Sequence, residues 1–182
     1  SDGGVRVNGG RLRNSGTIQG AGEVNLQVTE LLQNSGTVLG GTLRLNAQRV
    51  ENARGGVLQG TTELLLQSDT LNNRGVIDGG FTYLVANQID NLGTGFIVGD
   101  RVAIQGDVLN NRGEWIDGKE YKAHILARER LDIGTRVLHN RGHGMIYSDG
   151  EGFVGRSLDG QYRATGKGEL IENEGSWLES TG

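Results

Sequence analysis

The sequence predicts an all-β fold, a parallel β-helix wound in coils of about 20 residues, and three observations carry that expectation. The first is a pattern that recurs eight times: an aliphatic residue, any residue, asparagine, a glycine two or three positions on, then a second aliphatic. The asparagines are Asn14, Asn34, Asn52, Asn73, Asn91, Asn111, Asn140 and Asn173, separated by 20, 18, 21, 18, 20, 29 and 33 residues. Spacing of that size marks stacked coils, each dependent on its neighbours. The second observation is compositional: 182 residues hold 33 glycines, no proline and only 5% aromatic residues. Frequent glycine supplies corners, and proline would delete a ladder hydrogen bond in any coil with neighbours on both sides. The third is a period-two alternation in short runs, the pattern of strands with one buried face.

The elements follow in chain order. The first coil opens at Leu12-Arg13-Asn14-Ser15-Gly16-Thr17-Ile18, and Val24, Leu26 and Val28 give its alternating strand. The second passes through Asn34-Ser35-Gly36-Thr37-Val38 and buries Leu43, Leu45 and Ala47 before Val50 and Asn52 begin the third. Leu64 with Leu66, Val102 with Ile104, and Leu131 with Ile133 repeat that strand further on. One inward column is expected to hold Leu12, Leu32, Val50, Leu71, Ile89, Leu109, Leu138 and Ile171; a second, Ile18, Val38, Ile77, Ile97, Ile116 and Ile146. Between them the eight asparagines form a structural ladder. Asparagine tolerates left-handed backbone angles and its amide bonds nearby main chain, while the following glycine relieves the Cβ at the corner. The regular coils span 10–118, inside a single β-helix segment, 1–182, that reads as excised from a longer rod.

The two longest intervals mark insertions, as loops or short helices, near 119–129 and 151–160. Both are expected to begin after one corner, following Asp117-Gly118 and Asp149-Gly150, and so to lie side by side. Lys119 to Arg130 reads equally as a short amphipathic helix or an extra strand pair. Residues 119–168 carry nine Lys or Arg against six Asp or Glu, whereas the whole chain has a net charge of −4. Lys119, Tyr121, Lys122, Arg128, Arg130 and Phe153 are therefore candidate contacts for a receptor or an acidic glycan. The plainer reading is that extra loops cover the flank and their charges are solvated.

Several chemistries fall to spacing and context. Absence of cysteine removes disulfides and thiolate metal sites. His124, His139 and His143 lack the spacing of a metal site, so no metal and no cofactor are expected. Gly150-Glu151-Gly152-Phe153-Val154-Gly155 satisfies a dinucleotide glycine pattern without the flanking strand and helix that give it meaning. Net acidity without a dense basic stripe argues against a nucleic-acid partner. The rival reading from another class is a polysaccharide-acting enzyme, a lyase or glycoside hydrolase, needing paired carboxylates. Asp78 and Asp117 are expected at equivalent corners two coils apart, with Asp100 unaligned between them, and their Asp-Gly contexts read as turns.

The motif Leu-x-Asn-x-Gly, as in Leu71-Asn72-Asn73-Arg74-Gly75 and Leu109-Asn110-Asn111-Arg112-Gly113, resembles the repeats of the filamentous haemagglutinin family. The late segment Ala164-Thr165-Gly166-Lys167-Gly168-Glu169-Leu170-Ile171-Glu172-Asn173 also resembles a form these exoproteins use. They are two-partner-secretion exoproteins, among them CdiA-like contact-dependent growth inhibition effectors and large adhesins. The resemblance implies a right-handed β-helix, export through an outer-membrane two-partner-secretion transporter, and a secreted location on the bacterial cell surface. It implies a non-enzymatic shaft segment whose partners are flanking repeats of the same polypeptide and a receptor or glycan on a neighbouring cell. It thereby links the chain to adhesion, toxin delivery and virulence.

Overall fold

A computed structural model describes residues 3–182, and among them there are seventeen strands and no helix. Val57–Asn73, Val76–Leu92, Phe96–Arg112 and His124–Arg141 each run through almost a whole coil as one bent strand. Each pairs in parallel with the coil before it, residue for residue. Register shifts at Gly60/Glu63 and Ala127/Arg130 turn the chain from one face to the next. In the second coil the first face is Thr37 to Gly40, the second Thr42 to Asn46 and the third Arg49 to Asn52.

The inward columns explain why these residues form strands. On the third face Leu12, Leu32, Val50, Leu71, Ile89, Leu109, Leu138 and Ile171 stand in unbroken register. On the second, Leu26, Leu45, Leu66, Leu84, Ile104, Ile133 and Val154 do the same. The first-face column is Ile18, Val38, Leu58, Ile77, Ile97, Ile125, Ile146 and Leu178. Ile125, not Ile116, holds the sixth place. Ile116 is diverted into an antiparallel pair with Lys119. Each fully buried aliphatic contributes roughly 1.5–3 kcal/mol, provided the next coil covers it. In the last described coil the inward Ile171 and Leu178 are 48% and 40% exposed because a coil stacks on one side only, while Leu170 and Trp177, which alternate with them, point outward.

Both insertions are two-stranded antiparallel hairpins. The first pairs Glu114–Ile116 with Lys119–Tyr121 around Asp117 and Gly118, whose φ angles of 51° and 75° make the left-handed turn that Asp-Gly favours. The second pairs Ser157–Leu158 with Ala164–Thr165. Their roots differ from the common-corner expectation. The first leaves at the asparagine corner, ahead of Asp117, and returns at His124. The second leaves between the second and third faces, because Glu151–Gly155 is ordinary coil in register with Arg130 to Gly134.

Candidate functional site

The asparagine corner is a continuous polar seam. Asn14 donates to the side-chain oxygen of Asn34 at 2.8 Å, and the same bond repeats through Asn52, Asn73, Asn91, Asn111 and Asn140 to Asn173 at 2.7–2.9 Å. Each amide nitrogen also reaches main-chain carbonyls, as Asn73 does at Gly75 and Phe96. Six of the eight asparagines are no more than 1% exposed, so the amides satisfy one another where water cannot. None has a positive φ; they lie within strands. The glycines serve close approach: a Cβ at Gly75 would stand 2.6 Å from Asn52 Nδ2, and one at Gly144 would stand 2.6 Å from Asn140 Oδ1. Ala123 takes this place in the coil that carries the first hairpin, accepting from Met145 N at 2.8 Å as Gly56 accepts from Val76 N.

The first hairpin folds back over earlier corners and is clasped there. Arg74 donates twice to Glu114, each bond 2.9 Å long, and Arg112 stands 3.6 Å from the same carboxylate. Arg54 donates to the Tyr121 hydroxyl at 2.8 Å with its guanidinium 4.8 Å from the ring centroid. His143, held at a φ of 60°, pairs with Glu120. These contacts leave Trp115 73% exposed, with Lys119 and Lys122 exposed and without an ion pair among the described residues.

The second hairpin covers the outer side of the second face. Asp159 accepts from Gln161 N and Arg163 N at 2.8 and 2.9 Å, which holds its carboxyl below the ordinary carboxylate range. The turn carries Tyr162 at a φ of 60° and sets its ring edge-on to Phe81 and Tyr83, at 5.2 and 4.7 Å between centroids. Arg101 donates to Gln161 O at 2.6 Å and stands over Phe81. Asp132, fully buried, receives Arg130 Nε at 2.6 Å and Ala164 N at 2.9 Å, tying the hairpin to the coil.

These contacts divide the sequence-derived candidates. Lys119, Tyr121 and Lys122 belong to the first hairpin. Arg128 is exposed and pairs with Asp100 at 2.8 Å. Arg130 is spent on Asp132 and Glu151, with its guanidinium 4.4 Å from the Phe153 ring centroid. Trp115 and the Phe81, Tyr83 and Tyr162 cluster escaped sequence reasoning. The Asp-Gly turn signalled the first hairpin, but nothing local links Tyr162 to residues some eighty positions earlier.

The histidines also part company. His139 bonds Glu172 at 2.6 Å, His143 faces Glu120, and His124 stacks on Phe96 at 4.4 Å, where burial lowers its pKa. No group of three metal-ligating side chains exists among the described residues. Asp78 stands in register with Val98 while Asp117 caps a hairpin, so the two carboxylates do not share a corner column.

The chain is similar in sequence to several known proteins. The chain is 36% identical over 153 residues, 76% of its length, to a protein named deoxyribonuclease CdiA from Dickeya dadantii. It is 38% identical over 91 residues, half its length, to a toxin CdiA from Escherichia coli. The identity is again 38%, over 88 residues and 48% of the chain, to a tRNA nuclease CdiA from another Escherichia coli strain. The chain spans 3–4% of the length of these relatives. No family model and no solved structure matches it.

Proposed function

The coils are repeats of the CdiA-like, filamentous haemagglutinin type, and from that premise we propose that the chain is a non-enzymatic shaft segment of a secreted cell-surface exoprotein, giving reach to a tip that delivers a toxin or binds a receptor. One observation carries the reading: one unbroken parallel register joins every coil, so force and length pass through a single stack. The relatives' names support a shared scaffold too. A deoxyribonuclease and a tRNA nuclease match at 36–38%, so proteins named for different substrates share similar sequence, which supports a scaffold role. The partners on this reading are flanking repeats, which would cover Ile171 and Leu178, and an outer-membrane transporter of the two-partner type. Removing residues 37–75 joins Gly36 to Val76 in register and excises two coils. Such whole-coil deletions in the parent are expected to shorten its reach while surface display and binding at the tip persist. The purified chain should cleave neither DNA nor tRNA; turnover of either would overturn the reading.

Adhesion through the first hairpin is a second proposal, favoured by exposed Trp115 on the same excursion as Lys119 and Lys122, which have no ion pair among the described residues. Tyr121 supports that loop through Arg54, and Arg128, Arg130 and Phe153 lie on other parts of the surface. Replacing Lys119 and Lys122 together with alanine should reduce attachment several-fold without changing the fold; unchanged attachment counts against it.

A further inference from the structure

We propose that the outer side of the second face carries a binding subsite for an uncharged oligosaccharide, in the groove between Tyr83, Tyr162 and a column of carboxamides. Gln27, Asn46 and Gln67 stand in register on three consecutive coils and point outward. Leu65 and Tyr83 form the adjacent column. Tyr162, brought in by the second hairpin, stands at 65° to Tyr83 and walls the groove, which encloses about 270 Å³. Through Gln67 and Val85 the groove opens into a second hollow of about 490 Å³ that ends at Asp107 and Arg156.

The chemistry selects the ligand. The groove's one cation, Arg44, is taken by Glu23 at 2.9 Å and Glu63 at 3.8 Å. Asp107, at the far end, is taken by Arg136 at 2.9 Å. In the groove itself an anionic glycan therefore finds no free positive charge; Arg156, at the far end of the second hollow, stands 3.9 Å from Asp107. Gln27 donates to Asn25 at 2.7 Å, whereas the Asn46 and Gln67 side-chain amides make no hydrogen bond within the protein among the described residues, so each of those two offers donor and acceptor to a hydroxyl pair. Their column repeats once per coil, about 4.8 Å, close to the length of one pyranose unit. Tyrosine rings beside them supply the apolar surface on which a sugar's C–H face stacks. An extended peptide would need an open ladder, and here the backbone is already paired to coils on both sides. The inference goes beyond the shaft reading: reach depends on the number of coils, and ligand capture does not.

Saturation-transfer NMR on the 182-residue chain with cellotetraose, maltotetraose and chitotetraose tests it. At least one of the three is expected to show transfer. Tyr83→Ala should weaken that binding at least tenfold and Gln67→Ala several-fold, with Arg13→Ala, exposed on the third face away from the groove, as the unaffected control. Should Tyr83→Ala fail to fold, Asn46→Ala and Gln67→Ala, both at outward positions, decide the matter. Silence from all three sugars, binding that survives these substitutions, or preference for polygalacturonate or an extended peptide would overturn the proposal.

Discussion

At the scale of single residues, the seam of amides shows how buried polar groups specify a fold. Each of the six interior asparagines is both donor and acceptor for its neighbours, so removing one breaks two bonds of the ladder. Asn73→Ala is expected to cost about 1–3 kcal/mol, because the Asn52 amide loses an acceptor and the Asn91 carbonyl oxygen loses a donor in a buried site. Gly75→Ala should cost a similar amount for a steric reason, its Cβ meeting Asn52 Nδ2 at 2.6 Å and Ala53 O at 2.7 Å. Chemical denaturation of each variant reads both. Arg130→Ala should be more damaging, about 3–5 kcal/mol, since it strands the fully buried Asp132 carboxylate. Loss of attachment in that variant would report on the fold and not on a receptor.

His124 gives the residue scale a pH dependence. Burial against Phe96 lowers its pKa below the ordinary 6.5, so the folded state prefers the neutral ring. A depressed histidine contributes its full stability above pH 6.5 and loses it as the pH falls through the depressed value. Melting temperature should therefore decline as the pH falls below about 6.5, and His124→Phe, which keeps the stack on Phe96, should flatten the decline. Glu172 acts lower: bonds from His139 and Arg141 hold its carboxyl below 4.5, so its contribution disappears in more acidic solution.

At the scale of elements, the two hairpins are clasps laid back across earlier coils. The first is held by Arg74 on Glu114 and Arg54 on Tyr121. Arg74→Ala should loosen it without unfolding the stack, seen as faster amide exchange confined to 113–122. The alternating strands and third-face column were legible because every coil repeats them. The sixth first-face position was not, since Glu114-Trp115-Ile116 alternates as a coil strand does and only the Asp-Gly turn marks it as a hairpin arm. The second hairpin misled for a related reason: Glu151–Gly155 looked inserted by count, yet pairs in register with Arg130 to Gly134. The binding groove was not legible at all, because Tyr162 reaches Tyr83 through tertiary packing.

At the scale of the whole molecule, the chain is a stack in which each coil is stable only through its neighbours. Such a stack tolerates loss of a complete coil and not of a fraction, since a partial deletion shifts every inward side chain out of its column. The most direct measurement is made in the parent exoprotein. Excising residues 57–75 joins Gly56 to Val76, the in-register partner of Val57, whereas excising 57–66 breaks the register. The first deletion should preserve a cooperatively folded segment and contact with neighbouring cells; the second should abolish both. Equal loss from the two deletions would contradict the account.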